Sequence, residues 1–277
     1  MNKTIVITGA GSGIGKQLAL GLANIGNCII CLGRSEQKLL NTIKEIKSVT
    51  SKSGGHAAYF VTDMMKKDQV TDVGEKIIKQ YKTIDVWINN VGVNNHNAIG
   101  PTWELDPENW WTEVSLNLHT MFLGSHTAIN LMRKNNAGYI INLGGGGVQE
   151  PKPYGSAYGA AKTAIVKFTE TVNIELKQEG LNIKIIAFNP GFIKNNRTEI
   201  LVASKVARKY MPDLEQILKY GKMSDIQDSI KLILSFINGD MDDISGGYFF
   251  ADEFDIDTII LDKKEIIKSN KNVLRIK

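Results

Sequence analysis

Short runs of β-branched and apolar residues alternate along this chain with longer stretches in which apolar positions return every three or four residues. The runs Thr4–Ile7, Asn27–Leu32, Ala57–Val61, Asp85–Asn89, Tyr139–Leu143, Ile183–Phe188 and Gly247–Ala251 predict seven strands. The periodic stretches Gln17–Asn24, Glu36–Ser48, Asp68–Gln80, Glu108–Arg133, Ala157–Gln178 and Ser224–Phe236 predict the helices between them. Strands that are apolar throughout are covered on both faces, and regular strand–helix alternation marks a parallel sheet with helices on either side. The pattern therefore predicts an α/β fold, a doubly wound parallel sheet in a single domain over residues 1–250, followed by a C-terminal extension over 251–277. No repeat or low-complexity linker divides it. Asp106-Pro107-Glu108 marks one helix start, with a capping side chain, a proline at the first helical position and a carboxylate on the positive dipole end.

Composition is ordinary for a globular chain: 277 residues, 43% hydrophobic and 22% charged, long enough to bury a substantial core and too apolar for disorder. The net charge of +4 resides in residues 262–277, where six Lys/Arg meet two acids; the preceding 261 residues balance at 27 against 27. An acid-rich stretch, Leu232–Asp262, has eight carboxylates and no Lys or Arg, so the basic tail is expected either to pair with it across a subunit interface or to be solvated. So small and localised an excess excludes a nucleic-acid binder as the default. The only cysteines, Cys28 and Cys31, cannot form a disulfide framework and suggest a reducing compartment. A strand places residues three apart on opposite faces, so this C-x-x-C is expected to be structural. No apolar stretch reaches 18 residues, and Met1-Asn2-Lys3 runs straight into a strand without room for a signal peptide; the expected protein has no membrane partner and is cytoplasmic.

The first strand ends in Thr8-Gly9-Ala10-Gly11-Ser12-Gly13-Ile14-Gly15, between strand and helix, where a dinucleotide pyrophosphate would need a tight turn and a helix N-terminus. The second strand ends Leu32-Gly33-Arg34-Ser35 with no acid before Glu36. An acid there suits the ribose 2′-hydroxyl of NAD, and an arginine the 2′-phosphate, so Arg34 and Ser35 point to NADP(H) in preference to NAD(H).

Thr-Gly-x-x-x-Gly-x-Gly at the start of the chain resembles the short-chain dehydrogenase/reductase family, and further motifs follow in order. Asp63 matches an adenine-contacting aspartate. Asn89-Asn90-Val91-Gly92 matches Asn-Asn-Ala-Gly, Asn117 the asparagine of a central helix, Tyr158-Gly159-Ala160-Ala161-Lys162 the Tyr-x-x-x-Lys pair, and Asn189-Pro190-Gly191 the segment beside the nicotinamide. The resemblance implies a Rossmann fold and an oxidoreductase acting on a ketone/secondary alcohol pair. Tyr158 would be the acid/base, Lys162 would lower its pKa and hold the ribose, and Asn117 would support a proton relay. Implied cofactor contacts are Gly9, Ser12, Gly13, Ile14, Gly15, Arg34, Ser35, Asp63, Asn90, Gly92, Tyr158, Lys162, Pro190, Gly191, Ile193 and Asn195. Asn195 stands where the family often has a threonine. The resemblance also implies a homodimer or homotetramer.

One member of the pattern is missing. The family's serine, thirteen residues before the tyrosine, falls on Gly145 within Gly144–Gly147, and no Ser or Thr occurs between Asn142 and Tyr154. Three accounts stay open: backbone N–H groups of the glycine run serve as a small oxyanion hole, substrate or water fills the gap, or the chain is a non-catalytic NADP(H)-binding sensor or scaffold. Retention of Tyr158, Lys162 and Asn117 favours an enzyme. Residues 192–222, the expected substrate loop, hold seven Lys/Arg against three acids. That excess suits a small, anionic substrate; an amphipathic helix over Glu199–Tyr210 with its charges outward explains it equally. Gly145, Asn94, His96 and Arg197 are the candidate substrate contacts. The remaining histidines have no metal-ligand spacing.

Overall fold

A computed structural model of the chain describes residues 3–253, 255–269 and 271–275. Met1, Asn2 and Lys277, which enter the expectations for the N-terminus and the basic tail, lie outside the described residues. The strands are β1 (Thr4–Thr8), β2 (Cys28–Gly33), β3 (His56–Val61), β4 (Val86–Asn89), β5 (Gly138–Leu143), β6 (Ile183–Asn189) and β7 (Tyr248–Phe250). All pair in parallel in the order β3-β2-β1-β4-β5-β6-β7. The chain works outward from β1 in one direction and then in the other. The strand order therefore reverses between β1 and β4, and in such sheets ligands bind beyond the carboxyl ends at that reversal.

The helices are α1 (Gly13–Asn24), α2 (Glu36–Val49), α3 (Lys67–Tyr81), α4 (Pro107–Met132), α5 (Ser156–Gln178), α6 (Asn196–Ala203), α7 (Lys205–Tyr210), α8 (Asp213–Tyr220), α9 (Ile226–Ile237) and α10 (Ile256–Ser269). The alternating inward positions of the strands feed two cores. One joins Ile5, Ile7, Ile88 and Phe188 to Leu18 and Leu22 of α1, Ile43 of α2 and Ile233 of α9. The other joins Val6, Ile30, Trp87 and Ile185 to Val73 of α3, Leu131 of α4 and Leu176 of α5. Cys28 faces the second core and Cys31 the first. Burial lifts their thiols to about 11 and about 12, which leaves both as inert packing residues. Between the cores Asn89 donates to Ser125 and Asn142 at 2.9 and 2.8 Å, tying α4 to β4 and β5.

Two regions differ from the sequence expectation. The helix predicted over Glu199–Tyr210 is broken at Ser204, whose backbone turns extended (φ −68°, ψ 142°) and whose hydroxyl accepts from Ala207 N to start α7. A serine side chain competes well for backbone donors and so favours a cap over a helix interior. The described part of the basic tail packs in part onto its own chain. Ile266 of α10 enters the first core, Lys263 stands 3.8 Å from Asp243, and Arg275 meets the buried Glu170 at 2.9 Å. Asn272 docks on the sheet edge, its backbone carbonyl accepting from Tyr248 N (2.7 Å) and its side-chain Nδ2 donating to Tyr248 O (2.8 Å). Among the described residues, no helix is long and apolar enough to cross a membrane.

Candidate active site

Two cavities open at the carboxyl end of the sheet, of about 480 and 610 Å³, and they share Ser12, Asn90, Val93, Leu116 and Arg197 as walls. They form one continuous cleft across the β1/β4 reversal.

The smaller half is built on the glycine turn. Gly9 adopts φ +70°, a conformation that glycine reaches without a Cβ penalty. Thr8 Oγ1 accepts from the amides of Asn90 (2.9 Å) and Val91 (3.1 Å), and Asn90 Nδ2 donates back to Thr8 O (2.8 Å), so the ends of β1 and β4 are bonded together. Gly15 is buried beneath this junction, where any Cβ would overlap Asn90, and Gly13 lies under Asn195 and Arg197; neither lines the cleft. Ser12, at the N-cap position of α1, makes no capping hydrogen bond, and the first turn of α1 carries no acid, so hydroxyl and positive helix end both remain available to an anion. Arg34, Ser35, Lys38 and Asp63 line the far end. Glu36, the acid that directly follows Ser35, does not line the cleft and is engaged by Tyr59 Oη at 2.9 Å. Lys38, on the first turn of α2, was not singled out in the sequence; its signal is its spacing of four from Arg34.

The larger half holds Tyr158, Lys162 and Asn117 with Gly144–Gly146, Asn94, His96 and Lys152. Tyr158 and Lys162 share one face of α5, with Lys162 Nζ 5.6 Å from the centre of the phenol ring and donating to Leu143 O at 2.9 Å. Asn117 is buried, its amide donating to Val93 O and Glu113 O, both at 2.9 Å, and its Oδ1 accepting from Val93 N. A Cβ on Gly145 would overlap the Tyr158 hydroxyl, which therefore covers the place from which a side chain at 145 would project. Tyr248 Oη donates to Gly145 O at 2.9 Å, a contact with no signature in the sequence.

Glu113 also escaped the sequence reading. It is 1% exposed, one turn before Asn117 on α4, and its Oε2 accepts from Asn95 N at 2.7 Å. Burial raises its carboxyl to about 7, against the opposing pull of that hydrogen bond and of Lys152 and Lys162. The only sign in the sequence is a glutamate at helical spacing from Asn117 on an otherwise apolar face. The sequence expects Lys162 together with an oxidised nicotinamide to lower the tyrosine pKa; among the protein's own groups the balance runs the other way. Burial pushes Tyr158 up to about 12, with Glu113 adding to the rise, and burial lowers Lys162 to about 8. Desolvation of the phenolate outweighs the nearby ammonium.

The lid helices α6–α8 cover this half with Ile200, Leu201, Leu214 and Ile217; of the seven Lys/Arg in residues 192–222, only Arg197 reaches the cleft. Arg208 and Lys219 are turned to Glu215 instead. Arg197 sits where the two halves join, its Nη1 donating to Gly92 O at 3.1 Å. Asn195 caps α6, its Oδ1 accepting from Arg197 and Thr198 amides and its Nδ2 donating to Ile193 O. Ile14, Gly92, Pro190, Gly191 and Ile193 line the cleft, as do Asn94, whose Oδ1 is buried without a partner, and the exposed His96. Among the described residues, no three His, Cys, Asp or Glu cluster so as to hold a metal.

The chain is similar to known proteins along most of its length. The chain is 28% identical over 248 residues to a 3-oxoacyl-[acyl-carrier-protein] reductase of Synechocystis sp., covering 87% of this chain and 95% of that one. It is likewise 28% identical over 249 residues to the enzyme of the same name from Thermotoga maritima, covering 88% and 97%. Levodione reductase superposes with a TM-score of 0.79 at 21% identity, over 90% of this chain and 95% of its own; NAD+-bound xylitol dehydrogenase does so with 0.76 at 22%, over 90% and 96%. These structures share the fold. The model of the family described as short chain dehydrogenase matches residues 3–205, the stretch that carries the glycine turn, Tyr158 and Lys162, and the chain belongs to that family of oxidoreductases.

Proposed function

We propose that this chain is an NADP(H)-dependent reductase of a ketone bearing an apolar chain, working on the ketone/secondary alcohol pair with Tyr158 as proton donor. The observation that carries the reading is the continuous cleft, which has Arg34 and Lys38 at one end and Tyr158 with Lys162 at the other. The residues present fit a dinucleotide. The glycine turn and open N-terminus of α1 suit a pyrophosphate, two cations suit a 2′-phosphate, and Glu36, the acid that directly follows Ser35, is already bonded to Tyr59. Bound NADPH would supply the hydride to the carbonyl carbon.

The chain's own groups provide the rest. Tyr158 is protonated at neutral pH, as a donor to a ketone oxygen must be. Its proton passes to that oxygen, and Lys162, fixed on Leu143 O, stabilises the phenolate left behind. Lid residues Ile200, Leu201, Leu214 and Ile217 would take an apolar substrate chain and exclude water. The names of the curated relatives, 3-oxoacyl reductases, support a β-keto thioester or similar compound. Residues 1–250 carry these functions, with 192–222 as the substrate lid and 251–277 as a buttress. Trp111, Phe122 and Ile174 are exposed on α4 and α5, and we assign this face to a homodimer or homotetramer contact.

Tyr158→Phe should retain NADPH binding, read by nucleotide fluorescence, and lose turnover of acetoacetyl-coenzyme A; unchanged turnover refutes the reading. The absence of a side-chain hydroxyl at Gly145 favours a second reading, a non-catalytic NADP(H) sensor or scaffold. That reading expects tight NADPH binding by the unaltered chain with no nucleotide oxidation by any ketone.

A further inference from the structure

The glycines after β5 and before α5 enclose a trough, and the trough is filled by one side chain. A Cβ on Gly147 would approach Lys152 Cβ to 3.1 Å, and one on Gly155 would lie 3.0–3.1 Å from Lys152 Cδ, Cε and Cγ. Both are tighter than ordinary carbon contacts, so larger residues at these positions would displace the lysine. The ammonium lies near Gly146, where a Cβ would be 3.9 Å from Nζ. The ammonium ends 5.3 Å from the centre of the Tyr158 ring, in the cavity that Gly145 also lines.

The two lysines near this ring are not equivalent. Lys162 is committed to Leu143 O, whereas among the described residues Lys152 Nζ makes no hydrogen bond and no ion pair. Its stem is cradled and its three donors are uncommitted, over the ring whose hydroxyl gives up the proton. Glu113 is the acid whose charge favours the ammonium against burial. It does so from α4 without direct contact, so the donors stay available.

A ketone oxygen that accepts from Tyr158 Oη gathers negative charge as the hydride arrives, and a second donor aimed at it lowers the barrier. We propose that Lys152 donates this second hydrogen bond, in the role for which the family resemblance expects a serine hydroxyl at position 145. The proposal rests on the reading of Tyr158 as the proton donor. It accounts for the glycine run, which keeps clear both the Tyr158 hydroxyl at 145 and the lysine stem at 147 and 155. A charged donor meets a developing oxyanion with a stronger bond than a neutral hydroxyl does.

The test compares wild type, Lys152→Met and Tyr158→Phe in NADPH oxidation with acetoacetyl-coenzyme A, together with NADPH affinity by fluorescence. Lys152→Met should lower kcat by on the order of 10²-fold while NADPH affinity stays within twofold. If that variant does not fold, Lys152→Gln, which keeps length and one neutral donor, should show a loss of at least tenfold. A Lys152 variant within threefold of wild type, alongside an inactive Tyr158→Phe, overturns the role of Lys152 and leaves the tyrosine reading standing. An active Tyr158→Phe, or a wild type that does not oxidise NADPH with this thioester or with a small vicinal diketone, overturns the reading itself and the lysine's role with it.

Discussion

The hydroxyl of Tyr158 rests over the α-carbon of Gly145 so closely that a single methyl group on that carbon would overlap it. The two residues are thirteen apart, one at the end of β5 and the other on the first turns of α5. Glycine at 145 is therefore a condition for the position of the tyrosine, whatever hydroxyl is lacking there.

Gly145→Ala and Gly145→Ser should accordingly lower turnover. The added atoms would push Tyr158 from its place, at least tenfold in kcat and about 1–3 kcal/mol in stability for overpacking. Kinetics and thermal unfolding of both variants check this. A Gly145→Ser variant faster than wild type would show that the space is not needed by the tyrosine.

Arg34→Ala should weaken NADPH by about 10- to 100-fold, the value of charge-assisted hydrogen bonds to a phosphate, and NADH much less. Lys38→Ala should act in the same direction with a smaller effect. Fluorescence titration with both nucleotides distinguishes them, and equal losses for NADPH and NADH would refute a 2′-phosphate site.

Glu113 makes stability depend on pH. Its carboxyl titrates near 7 in the folded chain and near 4.5 when unfolded, so between those values the folded state holds the extra proton. The contribution is fully present below about pH 4.5 and is lost as pH rises through 7, by no more than about 3 kcal/mol. Urea midpoints of wild type and Glu113→Gln at pH 5 and pH 8 should show a steeper decline for wild type. Parallel declines would contradict the shift.

Tyr248→Phe removes the hydroxyl that holds Gly145 O. Loss of one hydrogen bond to a buried carbonyl should cost about 1 kcal/mol in stability. A several-fold fall in kcat with unchanged NADPH affinity should accompany it, and unaltered kcat would mean that the glycine run keeps its shape unaided.

The sheet was legible because its strands are apolar runs set between helical periods, and the seven predicted strands lie within a few residues of β1–β7. The cleft was legible as far as its residues form local motifs: a glycine turn, a Tyr and Lys one helical turn apart, an arginine after β2. Glu113 on α4 and Lys152 in the loop before α5 are 39 residues apart, and their charges interact only through the packing of α4 against α5, so no spacing announces them. The desolvation of Tyr158 is hidden for a related reason. A helix wheel shows the neighbouring lysine but not the desolvation that outweighs it. Charge counting is likewise blind to the packing of the tail, because a net excess does not reveal that Glu170 is buried beside Arg275.

The support of Gly145 has a kinetic consequence. Its carbonyl is held by a tyrosine 103 positions further along, and the strand that presents this tyrosine is itself paired with Asn272. Closing loops of that length comes after local helices and hairpins have formed, because the entropy of a long loop must be overcome before the contact rewards it. During refolding from denaturant, helical signal should return first and catalytic competence should lag behind it, with the lag set by the docking of residues 271–275 on the sheet edge.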